Sequence, residues 1–236
     1  MTPEPERRPP DGDPPPVDAG PPRVSPVEER LADKLTAARP DASAEEARVI
    51  AGLRRLGRYD RAAYRAVAQL STPLLDQPLR WVSRFANHSK PWVVTAGLLA
   101  LLGGPRGRRA ALTGLAAIGA TSLVVNQPMK RIGDRNRPDR DGLGVPAQRW
   151  VTMPSSTSFP SGHSASAAAF SVAVGDLLPT LRIPLRGAAS AVAFSRVYTG
   201  VHYPSDVLVG ATVGALLGRL ASTVARRRMA GRLHAS

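Results

Sequence analysis

Residues 110–129 run for twenty positions without a charged side chain, the length an α-helix needs to cross the roughly 30 Å hydrocarbon core of a bilayer. That run constrains the chain more than any other feature, because in hydrocarbon every backbone N–H and C=O must be paired within the protein and a helix does this segment by segment. Four further stretches are nearly as clean: residues 91–105 carry no charge, 164–181 only Asp176, 187–205 only Arg196 and 207–225 only Arg219. The chain therefore reads as all-α, a membrane-embedded bundle of about five to six helices. Gly210, Gly214 and Gly218 recur at every fourth position, which lets a neighbouring helix approach closely. A soluble Ala-rich bundle would give similar text; the twenty-residue run favours the membrane.

Outside these stretches the text changes character. Residues 1–40 are so dense in proline and charge that no core could offset the entropy of ordering them, and they read as a disordered Pro-rich tail lacking the apolar core of a signal peptide. Residues 41–88 read as amphipathic helix, with Ser43 and Glu46 spaced as a capping box and Val49, Leu53 and Leu56 on one face. Within them, residues 64–85 set Val67, Leu70, Leu74, Leu75 and Trp81 among Arg65, Arg80 and Arg84, the pattern of an amphipathic helix at the membrane interface or of an ordinary bundle helix. Residues 89–225 hold the apolar stretches and make the membrane domain, and 226–236 are a basic tail.

The formal charge of +14, from 32 basic and 18 acidic residues, calls for an anionic partner: a polyanion, a membrane surface or a substrate. Its distribution narrows the choice. Arg106, Arg108 and Arg109 follow the first apolar stretch, Arg182 and Arg186 the third, and Arg226 to Arg228 the last, so these loops share one side if each stretch crosses. The positive-inside rule makes that side cytoplasmic and puts residues 129–162 and the turn around His202 on the extracytoplasmic face. Mixed signs in the tail and the lack of aromatic interleaving argue against a nucleic-acid partner. With no cysteine there is neither a disulfide framework nor a thiolate metal site.

Three polar clusters sit where apolar stretches end. In the first, Lys130 and Arg137 offer a flexible ammonium and a planar guanidinium that can grip different oxygens of one phosphoryl group; alone, the segment also reads as a basic membrane flank. The second, Phe159-Pro160-Ser161-Gly162-His163, opens a helix. Ser161 suits the N-cap, Gly162 lets a ligand near the backbone, and free N–H groups at a helix start favour an anion beside His163; a lone histidine there is otherwise a surface residue. The third runs from Ser195-Arg196 through His202 to Asp206. An arginine between apolar stretches needs an anion, and a carboxylate near an imidazole can accept one ring N–H and leave the other nitrogen free to attack. Read plainly, Asp206 is a helix cap and His202 a loop residue.

Taken together, Lys130-x6-Arg137-Pro138, Pro160-Ser161-Gly162-His163 and Ser195-Arg196-x5-His202-x3-Asp206 resemble, in order, spacing and identity, the three-part signature of the type 2 phosphatidic acid phosphatase superfamily. That superfamily also includes bacterial acid phosphatases, glucose-6-phosphatase and vanadium haloperoxidases. The resemblance covers residues 90–225, and no signature position departs from the pattern. It implies that His202 is a nucleophile forming a phosphohistidine, oriented by Asp206, and that His163 is the general acid that protonates the leaving oxygen. Lys130, Arg137, Arg196, Ser161 and the Gly162 backbone would hold the phosphoryl oxygens.

The residues make this chemistry coherent. Phosphoryl transfer asks for in-line positioning and for neutralised charge on three equatorial oxygens, a task open to clustered cations and helix N–H groups as well as to magnesium. No Asp/Glu/His grouping has metal-ligand spacing; Asp134, Asp139 and Asp141 read as solvated loop acids, and no metal or other cofactor is expected. His88 and His234 lack comparable surroundings. The expected activity is metal-independent hydrolysis of a phosphate ester, with a membrane lipid phosphate as partner, either phosphatidate-like or a polyprenyl phosphate or diphosphate. The Ala/Arg/Pro-rich composition and the lead-in Ser155 to Phe159 resemble actinobacterial members that act on prenyl-linked phosphates or sugars. Two alternatives stand beside it. A vanadate-dependent haloperoxidase would use the same pocket, although such enzymes are usually large and soluble; a non-catalytic basic protein would bind anionic lipid or nucleic acid.

Overall fold

The computed structural model describes residues 27–38, 43–133 and 135–233, which fold into helices and connecting loops with no strand among the described residues. Of the expected N-terminal tail, residues 1–26, 39 and 40 lie outside the described residues, as do Asp134 and His234, while Val27–Ala38 is a helix, α1. Helix α2 (Ala44–Ala68) opens on the expected capping box: the Ser43 hydroxyl accepts from Glu46 N at 3.3 Å, and the Glu46 carboxylate accepts from Ser43 N at 2.9 Å. The single interfacial helix expected over residues 64–85 is instead two pieces. Helix α2 ends at Ala68 and α3 (Pro73–Phe85) restarts at Pro73, which has no N–H to continue a helix but suits the first turn of a new one.

The five expected apolar helices follow. Helices α4 (Lys90–Leu102) and α5 (Gly104–Val124) come first, and α5 continues through a π-helical turn, Val125–Met129, into the four-residue α6 (Lys130–Gly133). Then come α7 (Gly162–Leu177), α8 (Arg182–Tyr198) and α9 (Pro204–Leu233). They run alternately, so that α4, α7 and α9 start, and α5 and α8 end, at one mouth of the bundle. At the other end Arg182 and Arg226 both approach Asp176, at 3.9 and 3.4 Å, and Arg106 and Arg109 line one groove with Arg228, so the basic loops gather on one side.

Helix α7 is apolar on every side and lies in the middle, with Ala165, Ala167, Ala169, Phe170, Ala173 and Val174 fully buried. The glycine repeat of α9 is its closest neighbour. A Cβ on Gly210, Gly214 or Gly218 would lie 2.4, 2.0 or 2.4 Å from the carbonyl oxygens of Ser161, Ala165 and Ala169, so any larger side chain would push the two helices apart. Outside, the surface is apolar: Leu102 is 82% exposed, Leu101 79%, Leu112 69% and Leu216 66%, whereas Arg196, Asp206 and His202 are buried. Apolar outside and polar within is the distribution that hydrocarbon, not water, rewards. Two helices, Gly104–Met129 and Pro204–Gly231, are long and apolar enough to cross a membrane by length and composition; α7 and α8, at 16 and 17 residues, reach about 24–26 Å.

Candidate active site

The mouth is assembled from helix ends. Ser161 caps α7 as its sequence position predicts, its hydroxyl accepting from Ser164 N at 3.4 Å, and Ser161 N donates to the carbonyl of Asp206 at 2.9 Å. That bond ties the start of α7 to the start of α9 and brings the second and third clusters together. Gly200 makes the approach to His202 possible. At φ 73° it occupies the left-handed region, and a Cβ there would lie 2.6 Å from Arg140 and 2.8 Å from the Tyr64 hydroxyl.

His202 is 2% exposed and sits in the loop between α8 and α9. Arg137 donates Nη1–H toward its Nε2 at 3.2 Å. Because guanidinium can only donate, Nε2 carries a lone pair and the ring proton is on Nδ1. Nδ1 faces Asp206 Oδ2 at 3.4 Å, with Ser158 Oγ at the same distance. Burial pushes the imidazole down to about 4, opposed by the Asp206 carboxylate, so the ring is neutral at pH 7. This is a nitrogen with a free electron pair, its tautomer fixed by a carboxylate.

Asp206 is itself held from several directions. Oδ2 accepts from Tyr203 N at 2.9 Å and from the Ser158 hydroxyl, and Oδ1 accepts from Arg135 Nη1 at 2.7 Å. Arg135 is fully buried; its Nη2 donates to Asp60 Oδ2 at 2.6 Å and its Nη1 to Ser205 Oγ at 2.8 Å, and its guanidinium lies 3.9 Å from the Tyr203 ring centroid. Asp60 on α2 also accepts from Ser205 N and Oγ, at 2.8 and 2.6 Å. Sequence reading left Arg135, Asp60 and Ser158 out. Arg135 was one of six basic residues in a segment assigned to the outward loops, and nothing local marks it as buried.

The cations converge from separate elements. Arg137 is fixed by Val201 O at 2.8 Å and Ser156 O at 2.9 Å, and Lys130 Nζ donates to Ser156 Oγ at 2.9 Å. Burial lowers both, Arg137 to about 10, which leaves it charged at neutral pH. Arg196, 1% exposed, donates Nη1–H to Ser83 O at 3.1 Å and Ser83 Oγ at 2.7 Å; its buried Nε has no hydrogen-bond partner among the described residues. His163 in the first turn of α7 lies within electrostatic reach of Arg196, His202, Arg137 and Lys130. Its Nε2 is 3.0 Å from Asn87 Oδ1, a partner that sequence reading missed. Asn87 precedes His88 and Ser89, both at φ 56°, and the turn they form carries the chain from α3 into α4. All eight sequence-predicted site residues thus lie in or beside one mouth, with Gly162 at the α7 start.

Other basic residues of the same segment have structural work. Arg149 is buried, pairs with Asp76 at 2.8 Å and donates to Ala68 O at 3.1 Å, closing the end of α2. Arg140 donates to Val151 O at 2.7 Å and lies 4.8 Å from the Trp150 ring centroid. Among the described residues no three His, Cys, Asp or Glu side chains are grouped to hold a metal ion.

An all-helical chain with an apolar exterior and a buried mouth of cations around a carboxylate-backed histidine defines a membrane-embedded enzyme that handles an oxyanion. The chain belongs to the PAP2 superfamily, which residues 110–230 match and which takes in every position of the three clusters. It is 34% identical over 185 residues to the decaprenylphosphoryl-5-phosphoribose phosphatase of Mycobacterium tuberculosis (strain ATCC 25618 / H37Rv), covering 74% of this chain and 97% of that protein. A shorter stretch of 70 residues is 41% identical to the lipid A 1-phosphatase of Rhizobium johnstonii, covering 30% of this chain and 29% of the relative. Among solved structures it resembles the transmembrane PAP2 type phosphatidylglycerolphosphate phosphatase from Bacillus subtilis, with TM-score 0.57, 26% identity, and 85% of this chain and 94% of that chain covered. It is a phosphate-ester hydrolase and an integral membrane protein.

Proposed function

We propose that the chain hydrolyses a prenyl-linked lipid phosphomonoester through a phosphohistidine on His202, with its mouth on the extracytoplasmic face. The observation that carries the mechanism is the His202 ring: Nδ1 turned to Asp206 and Nε2 turned toward the guanidinium of Arg137, at 3.2 Å. A phosphoryl group entering there puts its phosphorus in line with Nε2 and its oxygens among Lys130, Arg137, Arg196, Ser161 and the N–H groups that open α7. The Nε2 lone pair forms the N–P bond as the bond from phosphorus to the lipid oxygen breaks. That oxygen leaves with the electron pair and takes a proton from His163, while Asp206 stabilises the positive charge on the His202 ring. Water, giving a proton to His163, then attacks the phosphohistidine and releases inorganic phosphate.

The substrate class is supported by the relative that matches across nearly its whole length, whose name specifies a decaprenyl-linked phosphoribose. The lipid A phosphatase likeness spans only 70 residues and supports lipid phosphate chemistry in general. The extracytoplasmic face is supported by the arginines at the end opposite His202. The test is phosphate release in detergent with EDTA from decaprenylphosphoryl phosphoribose, phosphatidate, phosphatidylglycerophosphate and undecaprenyl diphosphate. The prenyl-linked monoester should be turned over at the highest kcat/KM, and indifference across the four would replace this assignment with a broad-specificity phosphatase.

A further inference from the structure

A concavity also lies away from the mouth. A groove of about 890 Å³ lies between α5 and α9 at the opposite end of the bundle. Its walls are Leu112, Leu217 and Leu220, its floor is lined by small residues of both helices, and Arg106, Arg109 and Arg228 close one end. Measured along α5, Arg106 and Arg109 stand about 24–29 Å from the π-turn beside the mouth, so the arginine end of the groove is separate from the phosphatase site. None of the three arginines has a carboxylate partner among the described residues. Asp176, the acid at this end, is already engaged by Ser222 Oγ at 2.9 Å, Arg226 at 3.4 Å and Arg182 at 3.9 Å. Three uncompensated guanidiniums drawn from two helices therefore face one apolar channel of a size within the roughly 300–1,000 Å³ of small-molecule sites.

The geometry points to a binding site for one anionic phospholipid, its phosphate between Arg106, Arg109 and Arg228 and an acyl chain along Leu112, Leu217 and Leu220. A zwitterionic lipid would bring a cation into the same cluster, and a free anion would leave the apolar wall in water. By its position the occupant pins the last turns of α9 to the first turns of α5, the ends of these two helices farthest from the mouth.

The test is native mass spectrometry of the full-length, detergent-purified protein titrated with dioleoylphosphatidylglycerol, a diester that a monoesterase does not consume, against dioleoylphosphatidylcholine. One phosphatidylglycerol should bind preferentially per chain and should persist in His202→Ala. An arginine near an anionic lipid surface contributes about fivefold, so Arg106→Gln/Arg109→Gln/Arg228→Gln should weaken that binding on the order of a hundredfold. Leu220→Trp, which fills the groove and keeps every charge, should weaken it as well. Hydrolysis of a soluble aryl phosphate, unchanged in both variants, reports that they are folded. Equal binding of phosphatidylcholine, retention in the triple or the Leu220→Trp variant, or displacement by inorganic phosphate would each overturn the assignment; loss in His202→Ala would place the lipid at the mouth instead.

Discussion

Replacing Arg135 by methionine should damage both stability and catalysis, although in the proposed mechanism Arg135 touches no reacting atom. The side chain is wholly buried and holds two carboxylates, Asp60 at 2.6 Å and Asp206 at 2.7 Å. Methionine fills much of the volume but leaves both acids without their cation. Removing one partner of a buried pair costs about 3–5 kcal/mol, because the charge left behind is not resolvated. Against a typical domain stability of about 5–15 kcal/mol this is a large loss, to be read as a fall in Tm in detergent. The catalytic consequence runs through Asp206. Freed from Arg135, it no longer sits squarely behind His202 Nδ1, and by analogy with the outer partners that orient metal-ligating histidines the loss in activity should be about 10–100-fold. The assay is phosphate release at saturating substrate together with its pH profile. A structural role alone would lower the amount of folded enzyme and leave the profile of the remainder in place, whereas a positioning role moves the acid limb. Asp60→Asn, which leaves the bond to Asp206 intact, should lose less on both counts. Parent-like Tm and kcat in Arg135→Met would refute the reasoning.

Two further outcomes follow from the histidines. If His163 protonates the leaving oxygen, His163→Gln should lower kcat/KM, which reports the phosphorylation step, by about 10²–10⁴-fold for alkyl phosphates and far less for p-nitrophenyl phosphate, because nitrophenolate leaves without a proton, while kcat falls for both as breakdown slows; equal losses of kcat/KM on both would remove His163 from that role. His202 attacks when neutral, and burial holds it down to about 4, so kcat/KM should fall as pH drops through about 4 and not through the ordinary histidine range near 6.5. A pH profile of the detergent-solubilised enzyme from 3 to 8 checks this, and an acid limb near 6.5 that stays in place when substrates of different phosphate pKa are compared would contradict the burial argument.

How much of this was legible in the sequence follows from the range of the interactions. The capping box at Ser43 and the N-cap at Ser161 are made within three residues, and both stand as the sequence predicts. The glycine repeat of α9 is written in one helix and needs only some neighbour to accept it. Arg196 betrayed itself by lying between apolar stretches, where a charge needs a reason. The supports of Asp206 gave no such sign. Arg135 meets Asp206 across 71 residues and Asp60 across 75, and Ser158 meets Asp206 across 48, so no local spacing connects them. Asn87 reaches His163 across 76 residues by the same logic. The break between α2 and α3 is different, since Pro73 was there to be read; the apolar residues on both sides of it continued the pattern and hid the stop.

The central claim is a covalent bond between His202 and phosphorus, and the most direct measurement is to trap it. Purified enzyme mixed with a lipid phosphomonoester in EDTA, quenched within milliseconds into alkali where phosphohistidine survives, digested and analysed by mass spectrometry, should carry one phosphoryl group on the peptide containing His202. The group should be absent from His202→Ala and should accumulate when breakdown is slowed in His163→Gln with p-nitrophenyl phosphate as donor. Turnover at the parent rate in His202→Ala, or phosphate found on another residue, would contradict the mechanism.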